Sequence, residues 1–304
     1  MKSVQLNNSK MPLVGFGTYL ISNDDAESVI MEAFKVGYRH IDTAQGYANE
    51  EGIGNAIVKA FKAGIFTREE LYITTKLWPG NPEWGDTPKN YDHTIAAFEE
   101  SLKKLNLDYI DLYLIHAPFA IEQRVEQWKA LVYLQEIGKI KDIGVCNYNI
   151  NHLEEIKQAG LPLPKVNQIE FHPWSQKPEL IKYMNDNSIQ AMAYSSLVPL
   201  STWREKPGQD SAKTDEMKTA SSHSESPFKK AATRLGVSEA QVLLRWAVQQ
   251  NIPVIPKSVN QERMKTNLDL FSFELSDEEM ETFKKEDKGS GVAWMSGDPS
   301  NFEK

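Results

Sequence analysis

Short apolar runs rich in β-branched and aromatic residues recur along this chain, and stretches with helical spacing separate them. Residues 13–17 (LVGFG), 38–43 (YRHIDT), 71–77 (LYITTKL), 109–116 (YIDLYLIH), 142–147 (DIGVCN), 166–171 (VNQIEF), 190–195 (QAMAYS) and 252–256 (IPVIP) read as strands. Such runs suit a buried parallel sheet, although periodicity alone does not separate them from buried helix. Val29, Ile30, Ala33 and Phe34 share one helical face, with Asn23 or Asp24 as its cap and Gly37 just past its end. Ile95, Phe98, Leu102 and Leu105 repeat that spacing, as do Val242, Leu243 and Trp246. Thr67 with Glu70, Ser238 with Gln241, and Ser276 with Glu279 each fit a capping box. A βα unit repeated about eight times implies either a closed barrel or a doubly wound sheet.

Three segments break the alternation. Residues 5–12 (QLNNSKMP) are turn-rich at the centre, and their flanks can form a small hairpin before the first strand. Residues 203–228 are polar and poor in large apolar side chains, which reads as a long loop after the seventh strand. The tail, residues 289–304, is loop-like but carries Val292, Trp294 and Met295.

Composition narrows the classes. With 304 residues, 40% hydrophobic and 25% charged, the chain reads as one soluble globular domain spanning 1–304. A net charge of -8 with mixed signs speaks against nucleic acid or an anionic membrane as partner, but a local basic cluster can still hold an anionic cofactor. The single cysteine, Cys146, excludes an intrachain disulfide and a Cys-based zinc site. The six histidines show no metal spacing, and His172 before Pro173 reads as structural. No run is long enough to cross a bilayer, and the first residues lack a signal-peptide core, so a cytoplasmic protein is expected.

In parallel α/β folds the chemistry gathers where strands end. Those ends carry Asp42, Lys76, His116, Asn147, Gln168, Tyr194 and Lys257. Singly, a strand-end Asp is usually a helix cap and a lone Lys a solvated charge; their joint placement is what suggests a site. Tyr47 follows Asp42 in the segment DTAQGYANE. A tyrosine can act as general acid if a nearby ammonium lowers its pKa, and a carboxylate can hold that ammonium in place. Asp42, Lys76 and Tyr47 are the residue types for such a chain, and His116 adds a donor for a carbonyl oxygen. Lys257, Ser258 and, a helical turn on, Arg263 form a compact cationic cluster suited to a phosphate monoester. Gly15-Phe16-Gly17 lacks the third glycine of a dinucleotide fingerprint and reads as a close strand-to-loop turn.

Taken in order, DTAQGYANE, ITTKLW, YIDLYLIHAP, IGVCNYN, VNQIEFHP and IPVIPKSVNQERMKTN resemble the aldo-keto reductases, over about the whole chain from Gly15 to the tail. The resemblance implies an (α/β)8 TIM barrel with an N-terminal β-hairpin and long loops at the C-terminal face. It implies NADPH-dependent reduction of a small carbonyl compound, such as an aldehyde, diketone, keto-lactone or sugar, by a monomer. The catalytic tetrad would be Asp42, Tyr47, Lys76 and His116, with Tyr47 as proton donor. Asn147 and Gln168 would hold the carboxamide beside Cys146, and Tyr194 would stack on the nicotinamide. Gly17, Thr18, Tyr19 and Asp42 would lie near the cofactor, Ser195 and Leu197 near the pyrophosphate. Lys257, Ser258, Val259 and Arg263 would take the 2′-phosphate, and Asn267 would face the adenine.

Departures from the family pattern bear on the substrate. Ala117 stands where many members have Trp, which removes bulk or leaves it to Phe119 or Trp84; Tyr19 also replaces a common Trp, and Cys146 a common Ser. Thr266 replaces an acidic residue before Asn267. Tyr19, Tyr47, Trp78, His116, Phe119 and Trp294 are the substrate-pocket candidates. A non-catalytic relative keeping the barrel and cofactor site, and an NAD-dependent dehydrogenase, are the rival readings. The complete tetrad speaks against the first and the Lys257 cluster against the second.

Overall fold

Seven of the apolar runs join in one parallel sheet whose spatial order is their order along the chain. The computed structural model describes residues 2–200, 226–291, 293–294 and 296–302. Within it the sheet comprises β3 (Phe16–Gly17), β4 (His40–Asp42), β5 (Tyr72–Leu77), β6 (Ile110–Ile115), β7 (Ile140–Cys146), β8 (Val166–Glu170) and β9 (Gln190–Tyr194). Every residue of β5 and β6 is buried, as expected for strands with side chains inside the sheet's curl on one face and helices on the other.

The eighth run closes the ring. Val254 bridges in parallel to both Val14 and Ala193, so residues 252–256 lie between the first and last strands. The amide of Gly15 donates to Val254 O at 2.8 Å, that of Val254 to Leu13 O at 2.9 Å, and that of Ala193 to Pro253 O at 2.8 Å. Isolated bridges rather than a regular strand make this seam, and the first strand shrinks to Phe16–Gly17. The two glycines permit it. A Cβ on Gly17 would lie 2.5 Å from Ile255 O, and one on Gly15 would lie 2.7 Å from the buried His40 ring. The choice between barrel and open sheet is therefore settled in favour of the (α/β)8 barrel.

Helices follow the strands: α1 (Asn23–Val36), α2 (Glu50–Lys62), α3 (Tyr91–Leu105), α4 (Arg124–Glu136), α5 (Ile150–Gln158) and α6 (Pro178–Asp186). Beyond β9 come α7 (Pro227–Leu235), α8 (Glu239–Gln249), α9 (Gln261–Leu268) and α10 (Asp277–Lys284). The α1 cap is Ser22, not Asn23 or Asp24: its hydroxyl accepts from the Asp25 amide at 3.1 Å. Gly37 ends that helix at φ 117°, which a side chain would resist. The three capping boxes all form, that of Thr67 on a single 3-10 turn. Pro227 and Phe228 open α7 instead of ending a loop, because Pro suits a first helical turn and Phe228 packs into the core; residues 203–225 of that expected loop lie outside the described residues.

At the other end of the barrel, β1 (Ser3–Gln5) pairs antiparallel with β2 (Lys10–Pro12) to make the expected hairpin. Its turn covers the strand N-termini. Ser9 Oγ donates to Asp142 Oδ2 at 2.5 Å, and Asn8 Nδ2 to Lys141 O at 2.8 Å.

Candidate active site

The strand ends bring one buried ion pair to the centre of the C-terminal mouth. Asp42 closes β4 and Lys76 lies on the neighbouring β5, two positions beyond the residue that Asp42 pairs with. Lys76 Nζ donates to Asp42 Oδ1 at 2.5 Å and to Thr43 O at 2.8 Å. From across the barrel, Gln168 Nε2 donates to Asp42 Oδ2 at 2.8 Å. Burial pushes the Asp42 carboxyl upward while Lys76 and Gln168 pull it down. The same burial works against the Lys76 charge, but Asp42 outweighs it and holds the ammonium.

Tyr47 sits on the single turn Gln45–Tyr47 after β4, with its ring centre 5.0 Å from Lys76 Nζ. A tyrosine beside an ammonium is expected to have a lowered pKa; in the structure the shift has the opposite sign. Burial dominates, Lys76 pulls the other way, and the phenol is pushed up to about 12. The ammonium is shared with Asp42, so its pull on a phenolate offsets only part of the desolvation cost. Tyr47 therefore keeps its proton at neutral pH.

His116 follows β6 and meets the Tyr47 ring edge-on at 5.5 Å. Burial, helped by Lys76, holds its pKa well below the ordinary histidine value, so the imidazole is neutral. Its Nδ1 is buried without a hydrogen-bond partner among the described residues.

Aromatic rings wall this point. Trp78 lies 5.8 Å from His116 and 6.0 Å from Phe119. Trp84 stacks on Trp78 at 5.9 Å and reaches Phe119 at 5.4 Å. Trp294 of the tail approaches His116 at 6.0 Å and Phe119 at 5.7 Å; Tyr19 tilts over Tyr47 at 5.2 Å. Phe302, 5.1 Å from Phe119, was not legible as a pocket residue: a lone aromatic near the chain end gives no spacing signal.

The remaining candidates line a band from this point to the rim. Asn147 and Ser195 sit just past β7 and β9 in left-handed conformations, φ 62° and 54°. Asn147 Nδ2 donates to His116 O at 3.1 Å, while its Oδ1 accepts from Tyr194 Oη at 2.7 Å. Tyr194 Oη in turn accepts from Trp294 Nε1 at 3.1 Å. Thr18 Oγ1 donates to Asp42 O at 3.0 Å. Cys146 is buried, and burial raises its thiol pKa, so it remains a neutral packing group. Leu197 packs partly buried against the core. At the rim, Lys257, Val259 and Arg263 are exposed and Ser258 and Asn267 buried. All but Asn267, which lies in the last turn of α9, are grouped at that helix's N-terminus, where Asn260 Oδ1 accepts from the Arg263 amide at 3.0 Å. That helix end, which the sequence reading missed although Asn260 is a cap-type residue, adds partial positive charge to the basic side chains.

The band fits a dinucleotide with an extra phosphate. It offers amide-bearing side chains beside the ion pair, two tight turns at mid-span and a cationic helix end at the rim. Among the described residues no cluster of His, Cys, Asp or Glu could hold a metal ion, and no helix is long and apolar enough to cross a membrane.

Known proteins match this arrangement. The model of the Aldo/keto reductase family matches residues 13–288. The chain is 38% identical to an NAD(P)H-dependent D-xylose reductase of Candida tropicalis, covering 94% of this chain and 93% of that one. It is 40% identical to a glyoxal reductase of Bacillus subtilis, covering 92% and 90%. The crystal structure of a Bombyx mori aldo-keto reductase in complex with NADP superposes with a TM-score of 0.84 at 32% identity, over 99% of both chains.

Proposed function

The chain belongs to the aldo/keto reductase family, and from that membership we propose how its site works. It is an NADP(H)-dependent oxidoreductase that reduces a small-molecule carbonyl to the alcohol. NADPH supplies the hydride. Tyr47 gives its proton to the carbonyl oxygen as negative charge builds there. The phenolate left behind is stabilised by Lys76, whose ammonium Asp42 secures; that secures the transition state without loosening the proton beforehand. His116, neutral, offers one N–H to the same oxygen and so orients the carbonyl.

Asn147 and Gln168 would hold the cofactor's carboxamide, with Tyr194 against the nicotinamide ring. The bond that the Tyr194 hydroxyl makes to Asn147 Oδ1 would then compete with the carboxamide for the same oxygen. Thr18 would lie near the cofactor and pocket, Ser195 and Leu197 would follow the pyrophosphate, and Lys257, Ser258 and Arg263 would take the 2′-phosphate. The aromatic wall suits short aldehydes and larger apolar carbonyls alike. We also read the chain as a single catalytic domain acting as a cytoplasmic monomer, which a solution mass near 34.5 kDa would support.

One observation carries the reading: the buried Gln168–Asp42–Lys76 chain ends at the Tyr47 ring beside a neutral His116. The test is NADPH oxidation with glyoxal, methylglyoxal, xylose and an aromatic aldehyde, in wild type and Tyr47→Phe. Turnover should fall by about 10²–10⁴ in the variant, the range for a lost general acid, with NADPH affinity unchanged. Equal loss of both would remove Tyr47 from the role, and tight NADPH binding without wild-type turnover would favour a non-catalytic relative.

A further inference from the structure

We propose that Glu170 is a positioning residue for substrate selection: its buried carboxylate seats the C-terminal segment and thereby sets Trp294 in the pocket wall. The proposal rests on the carbonyl-reductase reading and deepens it.

Glu170 ends β8, two residues beyond Gln168, so both side chains leave the same face of the strand. Gln168 reaches the Asp42 carboxylate at the barrel's centre, and Glu170 stands one step nearer the mouth, fully buried. Nothing in the chemistry above uses it. A carboxylate there is costly unless donors meet it. His172 Nε2 approaches Oε1 at 2.9 Å, and Oε2 accepts the backbone amide of Ala293 at 2.8 Å. The second bond crosses from the barrel wall to the tail, and it fixes the residue next to Trp294.

A second carboxylate completes the clasp. Asp298 Oδ2 accepts from the Gly291 amide at 2.8 Å and pairs with Lys177, which stands before α6. Its Oδ1 accepts from the Ser300 amide at 3.0 Å and hydroxyl at 2.7 Å. Gly291 lies between the two acids. A Cβ there would come 2.4 Å from Glu170 Oε2 and 3.0 Å from Asp298 Oδ2, so the tail's close approach requires glycine. Trp294 falls between these anchors, with its ring against His116 and Phe119 and its indole N–H on Tyr194 Oη. The pocket wall thus inherits its place from Glu170.

The experiment is a double-mutant cycle read with two substrates, glyoxal and a bulky aromatic aldehyde, with NADPH affinity measured beside it. Glu170→Ala should raise KM for the aromatic aldehyde about tenfold, what a lost charged hydrogen bond of about 1.5 kcal/mol would give. Glyoxal turnover and NADPH affinity should stay within about twofold. In a Trp294→Ala background the same substitution should add nothing. Glu170→Gln should restore selectivity. Its carbonyl can accept the Ala293 amide, and its NH2 can donate to His172 Nε2, since His172 Nδ1 has no hydrogen-bond partner among the described residues and can carry the ring hydrogen instead. Equal KM effects on both substrates, or full additivity with Trp294→Ala, would overturn the proposal. Gly291→Ala displaces the tail without altering the barrel wall and must show the same selective KM rise if Glu170→Ala does not fold. Amide exchange at Ala293 reads the anchor without turnover. It should quicken at least about tenfold in Glu170→Ala, and unchanged protection refutes the anchor even if the reductase reading itself has failed on wild-type glyoxal turnover.

Discussion

The central ion pair makes a prediction about stability in which the direction with pH matters more than the size. Lys76 is fully buried and Asp42 nearly so, with 2.5 Å between Nζ and Oδ1. Removing either partner strands the other charge, which costs about 3–5 kcal/mol. The two variants then respond oppositely to pH. In Lys76→Met, Asp42 loses the group that pulled its pKa down while the burial that raises it remains. A carboxyl whose folded pKa lies above its unfolded value stabilises at low pH, and that stability is lost as pH rises through the folded pKa. In Asp42→Asn, Lys76 loses its main support, and burial drives its pKa down. The unfolded chain then binds more protons than the native one, so stability rises with pH up to the unfolded lysine value. Each slope approaches about 1.4 kcal/mol per pH unit within its window. Urea unfolding followed by tryptophan fluorescence, at about pH 5.5, 7 and 8.5, measures both. Slopes of the same sign, or losses below about 1 kcal/mol in both variants, would refute the idea that these charges depend on each other.

Two further outcomes test the cofactor band. Arg263→Ala should weaken NADPH by about 1.5–3 kcal/mol, roughly tenfold to a hundredfold, and leave NADH nearly unchanged; fluorescence titration with both would show it, and equal weakening would move the 2′-phosphate elsewhere. Tyr194→Phe keeps the ring and removes the hydroxyl bonded to Asn147, so NADPH should bind a few-fold tighter, about one hydrogen bond's net worth. Weakening beyond about tenfold would mean that the hydroxyl itself serves the cofactor.

What the sequence revealed and what it hid follow from the range of the interactions. Strand runs and caps are local, so the βα order, Gly37 and the three capping boxes were visible. Asp42, Lys76 and His116 were visible because each ends an apolar run. The seam between residues 14 and 254 was not distinguishable from an open sheet, since nothing local marks two distant segments as neighbours. The sign of the Tyr47 shift was hidden for a related reason. Residue types name the charges nearby but not whether Asp42 has already matched Lys76 or how far water is excluded. Nothing local sets Glu170 apart in the sequence, because its partner amide, Ala293, lies far along the chain.

The seam also fixes an order of events during synthesis. Until residue 254 has emerged, β3 and β9 each present an unpaired edge, and the growing chain is an open sheet ready to pair with any other exposed strand. The first strand of the ring thus waits for the last, and Gly17, whose close neighbour is Ile255 O, does no packing work before then. A truncated or stalled product ending before Ile252 would be the species most prone to aggregate. The time spent in that state depends on how fast the final segments are delivered, not on the strength of the finished barrel.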